Sequence, residues 1–418
     1  MRERWLTRNV RVLSAVSFLQ DAASELLYPL MPIFLTAVLG APAAVIGLVE
    51  GLAEGAASLT KLASGGLASL YPRRRLVGIG YGLAALGKLF VALATAWPVV
   101  LAGRVVDRLG KGMRGAPRDA LLVDDVPPDR RGRVFGVHRT ADTLGAVVGP
   151  LLGLAAYEAF DHDIRRVLIV AMVPAVLSVV LVFAATDHRP PPRRDDVRGL
   201  RDVVTALARS LVHPPADLPP RYWRIVAVVV SFGVVNLPDA LVLLHLSQIG
   251  FPVTGVVLAY VAYNAVYAAV SLPAGALSDR IGPVPVFGVG LVCFAFALTG
   301  LARTEDHGTA WALMACYGLF SACTDGVGKA WVSRVLDAEA QSAGQGYLQG
   351  LGGLAVLVAG VWGGAAWGER GVVPLSVAGA VAGLLGAGLL VSAGRRAVTR
   401  SVGAGPGPSG GGGGAGEG

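Results

Sequence analysis

Charge is what this sequence has least of: only 15% of its 418 residues are Asp, Glu, Lys or Arg, against roughly 25% in a soluble globular domain. Together with a 54% hydrophobic share and a mean hydropathy of +0.61, that scarcity excludes a soluble multidomain enzyme. Cysteine is rarer still. Cys293, Cys316 and Cys323 all fall in apolar stretches and are odd in number, so no disulfide framework is implied, and they read as small buried hydrophobes. The six histidines (His138, His162, His188, His213, His245 and His307) are scattered without ligand spacing, so neither a metal nor a cofactor is expected. No glycine-rich turn leads into a Lys-Ser/Thr phosphate cradle and no Gly-x-Ser-x-Gly elbow occurs, which argues against an ATP-driven pump. Aromatics stop at 7% while glycine reaches 57 residues, and small residues let transmembrane helices approach closely.

What is present is a series of long apolar runs. Taking about 20 apolar residues per bilayer crossing, the sequence predicts twelve spans, near 10 to 38, 43 to 64, 76 to 97, 98 to 117, 134 to 157, 166 to 186, 223 to 248, 254 to 275, 284 to 302, 309 to 331, 343 to 367 and 372 to 393. The basic start leads into the first of them without a small-residue cleavage pattern, so it reads as a retained helix, not a signal peptide. The basic residues alternate between connections: the odd-numbered side, with both termini, holds 25 Lys and Arg and the other side 4. The positive-inside rule then places both termini in the cytoplasm. The net charge of +8 therefore reports orientation and not a nucleic-acid surface. The expected organisation is an all-α membrane protein with a six-helix bundle over 1–186, a proline-rich cytoplasmic loop over 187–221, a second six-helix bundle over 222–395, and a glycine-rich disordered tail over 396–418.

The two halves resemble each other. Asp107-Arg-Leu-Gly-Lys111 returns as Asp325-Gly-Val-Gly-Lys329 at an offset of 218, and Asp21 meets Asp239 at the same offset. Between spans 2 and 3 stands Gly65-Gly-Leu-Ala-Ser69, and between spans 8 and 9 stands Gly275-Ala-Leu-Ser-Asp279-Arg280-Ile-Gly282. Parallel repeats in a twelve-span chain are a transporter architecture, with the site at midplane where the halves face.

Ionisable residues in a span cost about 2.5 kcal/mol or more and so usually face a cavity or a partner. The first half carries most of them: Asp21, Glu25, Glu50, Glu54, Lys61, Lys88, Arg104, Asp107, Arg108, Lys111, Arg139 and Asp142. Arg104, Asp107, Arg108 and Lys111 follow i, i+3, i+4, i+7 spacing, one stripe on a helix face. Glu50 with Glu54, and Asp21 with Glu25, are i, i+4 pairs. Depth along the helices places Glu25, Glu54 and Lys111 together, with Lys88 and Arg108 nearby. Two readings stand open: neutralised pairs that hold the bundle together, or carboxylates balanced between desolvation and nearby cations that exchange protons as access alternates. Lys61 and Arg139 are expected to snorkel to the cytoplasmic end. In the second half Asp239, Asp325 and Lys329 are the charged residues, and Tyr260, Tyr263 and Tyr267 form an i, i+3, i+7 stripe around Asn264, with Asn236 on span 7. That stripe suits either an organic substrate or helix packing. Gly47, Gly51 and Gly55, four apart on span 2, read as close helix packing.

These motifs resemble the major facilitator superfamily. Gly275-x-Leu-Ser-Asp279-Arg280-x-Gly282 looks like its signature between helices 2/3 and 8/9, Arg104 resembles its buried helix 4 arginine, and Gly145-x-x-x-Gly149-Pro150-x-x-Gly153 resembles the motif of its drug/proton antiporters. The resemblance implies gating roles for Gly275, Asp279, Arg280, Gly145, Gly149 and Pro150, and export by proton antiport. The first-half turn departs from the pattern, with Ser69, Leu70 and Pro72 where the family has Asp, Arg and Gly. The expected function is thus proton-coupled efflux of a small organic compound across the cytoplasmic membrane of a bacterium. The alternatives are a proton symporter importing a polar or anionic metabolite, or a membrane sensor or scaffold that lost transport. The expected partners are substrate, protons and lipid, with no nucleic acid, and the chain is expected to be monomeric.

Overall fold

The computed structural model describes residues 6–124, 126–127, 131–187, 218–336 and 340–403. All of the regular structure among them is helical. Most of the expected central loop and the tail beyond Gly403 lie outside the described residues, as do the side chains of 65–70.

Span 1 begins at Arg8 because Thr7 caps it, its hydroxyl accepting the Val10 N–H at 3.3 Å. The helix Arg8–Leu27 then passes into a 3-10 turn Tyr28–Leu30, a single turn Met31–Ile33 and a π turn Phe34–Val38. Pro29 and Pro32 explain the irregularity, since neither has an N–H to give the carbonyls of Glu25 and Tyr28 four residues earlier. Spans 2 to 5 are Ala43–Leu70, Arg73–Ala92, Trp97–Val123 and Arg131–Ala159. Span 6 is split at Ala171 into Ile164–Val170 and Met172–Val182. Span 7 is broken more severely, into Pro220–Gly233 and Asp239–Gln248, with Pro238 opening the second piece. Spans 8 to 12 are Val253–Ile281, Pro283–Leu301, His307–Ser333, Gln341–Ala365 and Val372–Gly403. Gly282 turns the chain between spans 8 and 9 at φ +94°, a region that a side chain disfavours.

Several helices outrun the apolar stretches that announced them. Span 4 continues to Val123 instead of ending near 117, so Arg118 joins Arg114 on the helix, and both count as span residues and not loop bases. Span 12 runs through Arg395 to Gly403, past the boundary expected at 395. Apolarity marks only the stretch that must face lipid, whereas a helix continues wherever propensity and capping allow. Moving two bases into a span leaves the 25-to-4 imbalance essentially intact. The helix of span 5 runs uninterrupted through Pro150.

The apolar cores show how the halves meet. Away from the termini, one continuous buried cluster joins Leu30, Phe34 and Ile46 of the first half to Leu241, Leu244 and Val256 of the second. On the termini side the cores are separate: Val10, Leu13, Tyr81 and Leu121 form one within the first half, and Tyr222, Ile225, Val332 and Leu348 another within the second. The molecule is therefore closed on the face remote from the termini and parted on the termini face.

Glycine makes the closure tight. A Cβ on Gly47 of span 2 would lie 2.0 Å from the Gly360 carbonyl oxygen of span 11, and one on Gly360 would lie 2.4 Å from the Gly47 oxygen. Both backbones are in contact, as the small-residue spacing on span 2 suggested.

Candidate functional site

Eight helices are long and apolar enough to cross a membrane among the described residues: spans 2, 3, 5, 6, 8, 9, 11 and 12. The four that fall short are spans 1, 4, 7 and 10, the first helix of each three-helix unit. Span 7 falls short because it is broken into pieces of 14 and 10 residues, and span 4 carries the charged stripe of Arg104, Asp107, Arg108 and Lys111.

The deepest elements are two sealed ion pairs. Arg104 grips Glu50 with both ends of its fork, Nη2 standing 2.8 and 2.7 Å from Oε1 and Oε2 and Nε 3.1 Å from Oε1. Their side chains are 6% and 7% exposed, and the guanidinium also lies 5.7 Å from the Tyr28 ring centroid. The match is dictated by geometry: each residue sits seven positions in from the remote end of its helix, about 10 Å down at 1.5 Å per residue. Beside it Lys88 donates to Asp107 at 2.8 Å, again in the interior. The cavity next to this pair, walled by Ser24, Met31, Gly87 and Gly103, holds about 10 Å³, room for a single water. No organic substrate fits there.

A second layer is held less firmly. Glu54 stands 4.0 Å from Arg108. Asp21 and Glu25 have no cation within 4.0 Å among the described residues; Glu25 instead accepts a hydrogen bond from the Tyr260 hydroxyl at 2.7 Å, across the interface between the halves. The tyrosine stripe of span 8 supplies hydroxyls to acids and a serine: Tyr263 meets Ser321 at 3.0 Å and Tyr267 donates to Asp325 at 3.0 Å. On span 10, Tyr317 donates to Asp239 at 2.7 Å. Asp239 opens the second piece of span 7, where the helix N-terminus favours a negative charge. The rings pack as a ladder, with centroids 5.8 Å apart for Tyr260 and Tyr263 and 6.5 Å for Tyr263 and Tyr267. The stripe thus packs through its rings and makes polar contacts through its hydroxyls. Asn264 turns its amide onto the Tyr260 carbonyl of its own helix at 3.0 Å, which commits a donor expected to serve substrate. Asn236 lies in the break of span 7.

A third group lines the gap that opens to the termini face. Lys111, Arg139, Asp325 and Lys329 are exposed although they lie within spans, and Lys61 is half-buried. Arg139 reaches the Tyr267 hydroxyl, so it points inward to the interface and does not snorkel as expected. Lys111, grouped by depth with Glu25 and Glu54, has no carboxylate within 4.0 Å among the described residues.

The glycine motif of span 5 is the surface that receives span 1. A Cβ on Gly145 would meet the Phe18 oxygen at 2.6 Å, one on Gly149 the Ala22 oxygen at 2.5 Å, and one on Gly153 the Leu26 oxygen at 2.9 Å. The motif thus sets the position of the helix that carries Asp21 and Glu25; Pro150, beside it, is buried. At the termini face, Asp279 is paired with Arg334 at 2.9 Å, not with Arg280, which is exposed. Gly275 has open space around it. In the first half a different pair ties the turn to span 4: Arg73, at the start of span 3, donates to Asp124, just past the end of span 4, at 2.8 Å.

The sequence reading missed Arg114, Arg118 and His138. Arg114 lies over the Tyr81 ring at 4.4 Å, Arg118 donates to Ser17 at 3.1 Å, and buried His138 stands 3.8 Å from Asp142. Arg114 and Arg118 continue the span 4 stripe at i+3 and i+7 from Lys111, a signal lost by ending that span too early.

The Major Facilitator Superfamily model matches residues 13–261 and 240–411. An uncharacterized MFS-type transporter of Methanocaldococcus jannaschii is 27% identical over 370 residues, 87% of this chain and 90% of its own length. A multidrug resistance protein, MdtH of Photorhabdus laumondii, is 32% identical over 126 residues, 30% of this chain and 31% of its own. Among solved structures, the peptide transporter POT in complex with sulfate aligns with a TM-score of 0.74 over 93% of this chain and 94% of that one, at 13% identity. Two six-span halves around a charged interior, matched along nearly their whole length, place the chain in the Major Facilitator Superfamily: it is a membrane transporter and not an enzyme.

Proposed function

We propose that this transporter exports a small organic compound in exchange for protons, with both termini, and the face on which the apolar cores of the halves are separate, in the cytoplasm of a bacterial cell. The observation that carries the reading is Glu25. It is a carboxylate within a span, with no cation within 4.0 Å among the described residues, bonded at 2.7 Å to a tyrosine of the opposite half. An ionisable group inside a span is retained where it meets a partner, a cavity or a moving ion. Rocking of the halves breaks the Tyr260 contact and changes what faces Glu25, so its proton is exchanged with each change of access. The sealed pairs Glu50–Arg104 and Lys88–Asp107 are already neutralised and hold the first bundle rigid while this happens. Kinship with a multidrug resistance protein over part of the chain supports export.

The test is flux in proteoliposomes under an imposed pH gradient. Glu25→Gln, which keeps a hydrogen-bond acceptor for Tyr260 but cannot lose a proton, should abolish gradient-driven accumulation while leaving exchange of labelled for unlabelled substrate intact. Accumulation at the parent rate and pH profile in that variant would remove Glu25 from coupling.

A further inference from the structure

We infer that His245, near the remote end of span 7, is a second proton site, and that the proton it holds keeps the remote face closed. This goes beyond the role proposed for Glu25 and stands whether or not Glu25 couples transport to protons.

His245 is 2% exposed, and both of its ring nitrogens meet backbone carbonyls. Nδ1 stands 2.8 Å from the Arg370 oxygen, in the turn before span 12, and Nε2 stands 2.9 Å from the Leu301 oxygen, at the end of span 9. A carbonyl only accepts. A neutral imidazole has one N–H and one bare nitrogen, so either tautomer sets a nitrogen lone pair against an oxygen lone pair at one of the two contacts. The imidazolium has two N–H groups and satisfies both. Turning the ring over would bring carbon atoms to both oxygens and leave the nitrogens without these partners.

Burial opposes a charge here, and three features offset it. Hydrogen bonds from a cation are stronger than those from a neutral donor. His245 lies in the last turn of the helix Asp239–Gln248 and the Leu301 carbonyl belongs to the last residue of the helix Pro283–Leu301, so the ring sits between the negative ends of two helix dipoles. The Arg370 guanidinium is taken up in an ion pair with Glu305. The other titratable groups of these turns, Arg303, Asp306, His307 and Glu369, are exposed, and His307 Nε2 faces the Ile249 carbonyl at 3.3 Å.

The piece of span 7 that bears His245 is also a piece that closes the remote face. It is separated from the rest of span 7 by the break at 234–238, and its Leu241 and Leu244 share a buried cluster with Leu30, Phe34 and Ile46 of the first half. At its remote end it is tied to its own half by the two His245 bonds and by Trp367, which donates to Gln248 at 3.0 Å. Loss of the proton turns one of these ties into a repulsion. By linkage, the closed arrangement binds the proton more tightly than an arrangement without these contacts, so acid favours closure and rising pH releases it.

The test uses the full-length protein in detergent. In nitrogen NMR of protein labelled at histidine, the His245 signals are those missing from His245→Gln or His245→Lys. Both of its ring nitrogens should stay protonated to a higher pH than those of the exposed His162 and His307; a bare nitrogen on His245 while those two are still charged would overturn the inference. The second measurement is the distance between spin labels at residues 42 and 304, on the remote turns of the two halves, in a background lacking Cys293, Cys316 and Cys323. Raising the pH from about 5.5 to about 8.5, across the histidine range, should lower the closed-to-open ratio about tenfold, the equivalent of one unit in proton affinity between the two states. His245→Gln, which has one donor and one acceptor like the neutral ring, should abolish that response and favour the open form. His245→Lys, a lasting cation that donates to both carbonyls, should abolish it and favour the closed form. Glu25→Gln should leave the response intact. An undiminished response in His245→Gln, or loss of the response in Glu25→Gln alone, would place the controlling proton elsewhere and overturn the inference. A response that survives in Glu25→Gln while that variant still accumulates substrate would leave His245 standing and remove Glu25 from coupling.

Discussion

The bidentate Glu50–Arg104 pair permits a quantitative test of how the first bundle is held. Three hydrogen bonds of 2.7 to 3.1 Å join side chains that are 6% and 7% exposed, so neither charge has water to fall back on. Arg104→Met leaves a buried carboxylate without its partner, and Glu50→Leu leaves a buried guanidinium; each should cost about 3 to 5 kcal/mol. Removing both leaves an apolar pair of similar volume, which in buried sites is often neutral or even stabilising. The double variant should therefore be far more stable than the sum of the single losses, with a coupling energy on the order of 3 kcal/mol or more. If water penetrated the pair and screened it as at a surface, the coupling would fall to about 0.2 to 1 kcal/mol. Unfolding in mixed micelles of dodecyl maltoside and SDS, followed by tryptophan fluorescence, measures all four corners of the cycle. Additive losses in the double variant would refute the claim that this is a sealed, mutually dependent pair.

Three further outcomes are expected. Gly47→Val should lower the share of molecules closed on the remote face, because a Cβ 2.0 Å from the Gly360 oxygen forces the helices more than 1 Å apart to reach about 3.5 Å contact; labelling of single cysteines at that face by an impermeant thiol reagent should rise, and unchanged labelling would mean the helices yield without opening. Asp279→Arg combined with Arg334→Asp should restore flux lost in either single variant, since the exchange keeps an acid facing a base where the two side chains now meet at 2.9 Å, and failure of the exchange to restore flux would show that the contact has no gating role. Reporter fusions at residues 160 and 200 should lie on opposite sides of the membrane, and agreement between them would break the twelve-span layout.

The sequence disclosed the architecture because lipid imposes it. Span number, the repeat at offset 218 and the base asymmetry all follow from crossing a bilayer repeatedly, and the family match and the fold agree with the span number. It disclosed less at the ends of helices. Spans 4, 8 and 12 run past the apolar stretches that announced them, which is how Arg118 fell outside its expected span. The stripe Arg104, Asp107, Arg108 and Lys111 was visible as a helix face, but which acid each residue meets depends on where neighbouring helices lie. Arg104 takes Glu50 and Arg108 takes Glu54 because spans 2 and 4 run in the same direction in register, and Asp107 takes Lys88 from span 3. The role of the tyrosines was hidden for the same reason: their spacing shows a shared face, and only the fold brings Glu25 and Asp325 to their hydroxyls. The break of span 7 left a faint mark in Asn236, Leu237 and Pro238, a proline late in an apolar run, which hydropathy alone passes over.

The claim that this protein exchanges protons for substrate is tested most directly by watching both at once. Proteoliposomes with a pH-sensitive dye in the lumen, loaded with transported substrate at equal pH on both sides, should acidify inside as substrate leaves down its gradient, because protons enter in exchange. Alkalinisation during substrate exit would mean that protons travel with the substrate, and an unchanged lumen would mean that transport is uncoupled from protons; either result contradicts the account.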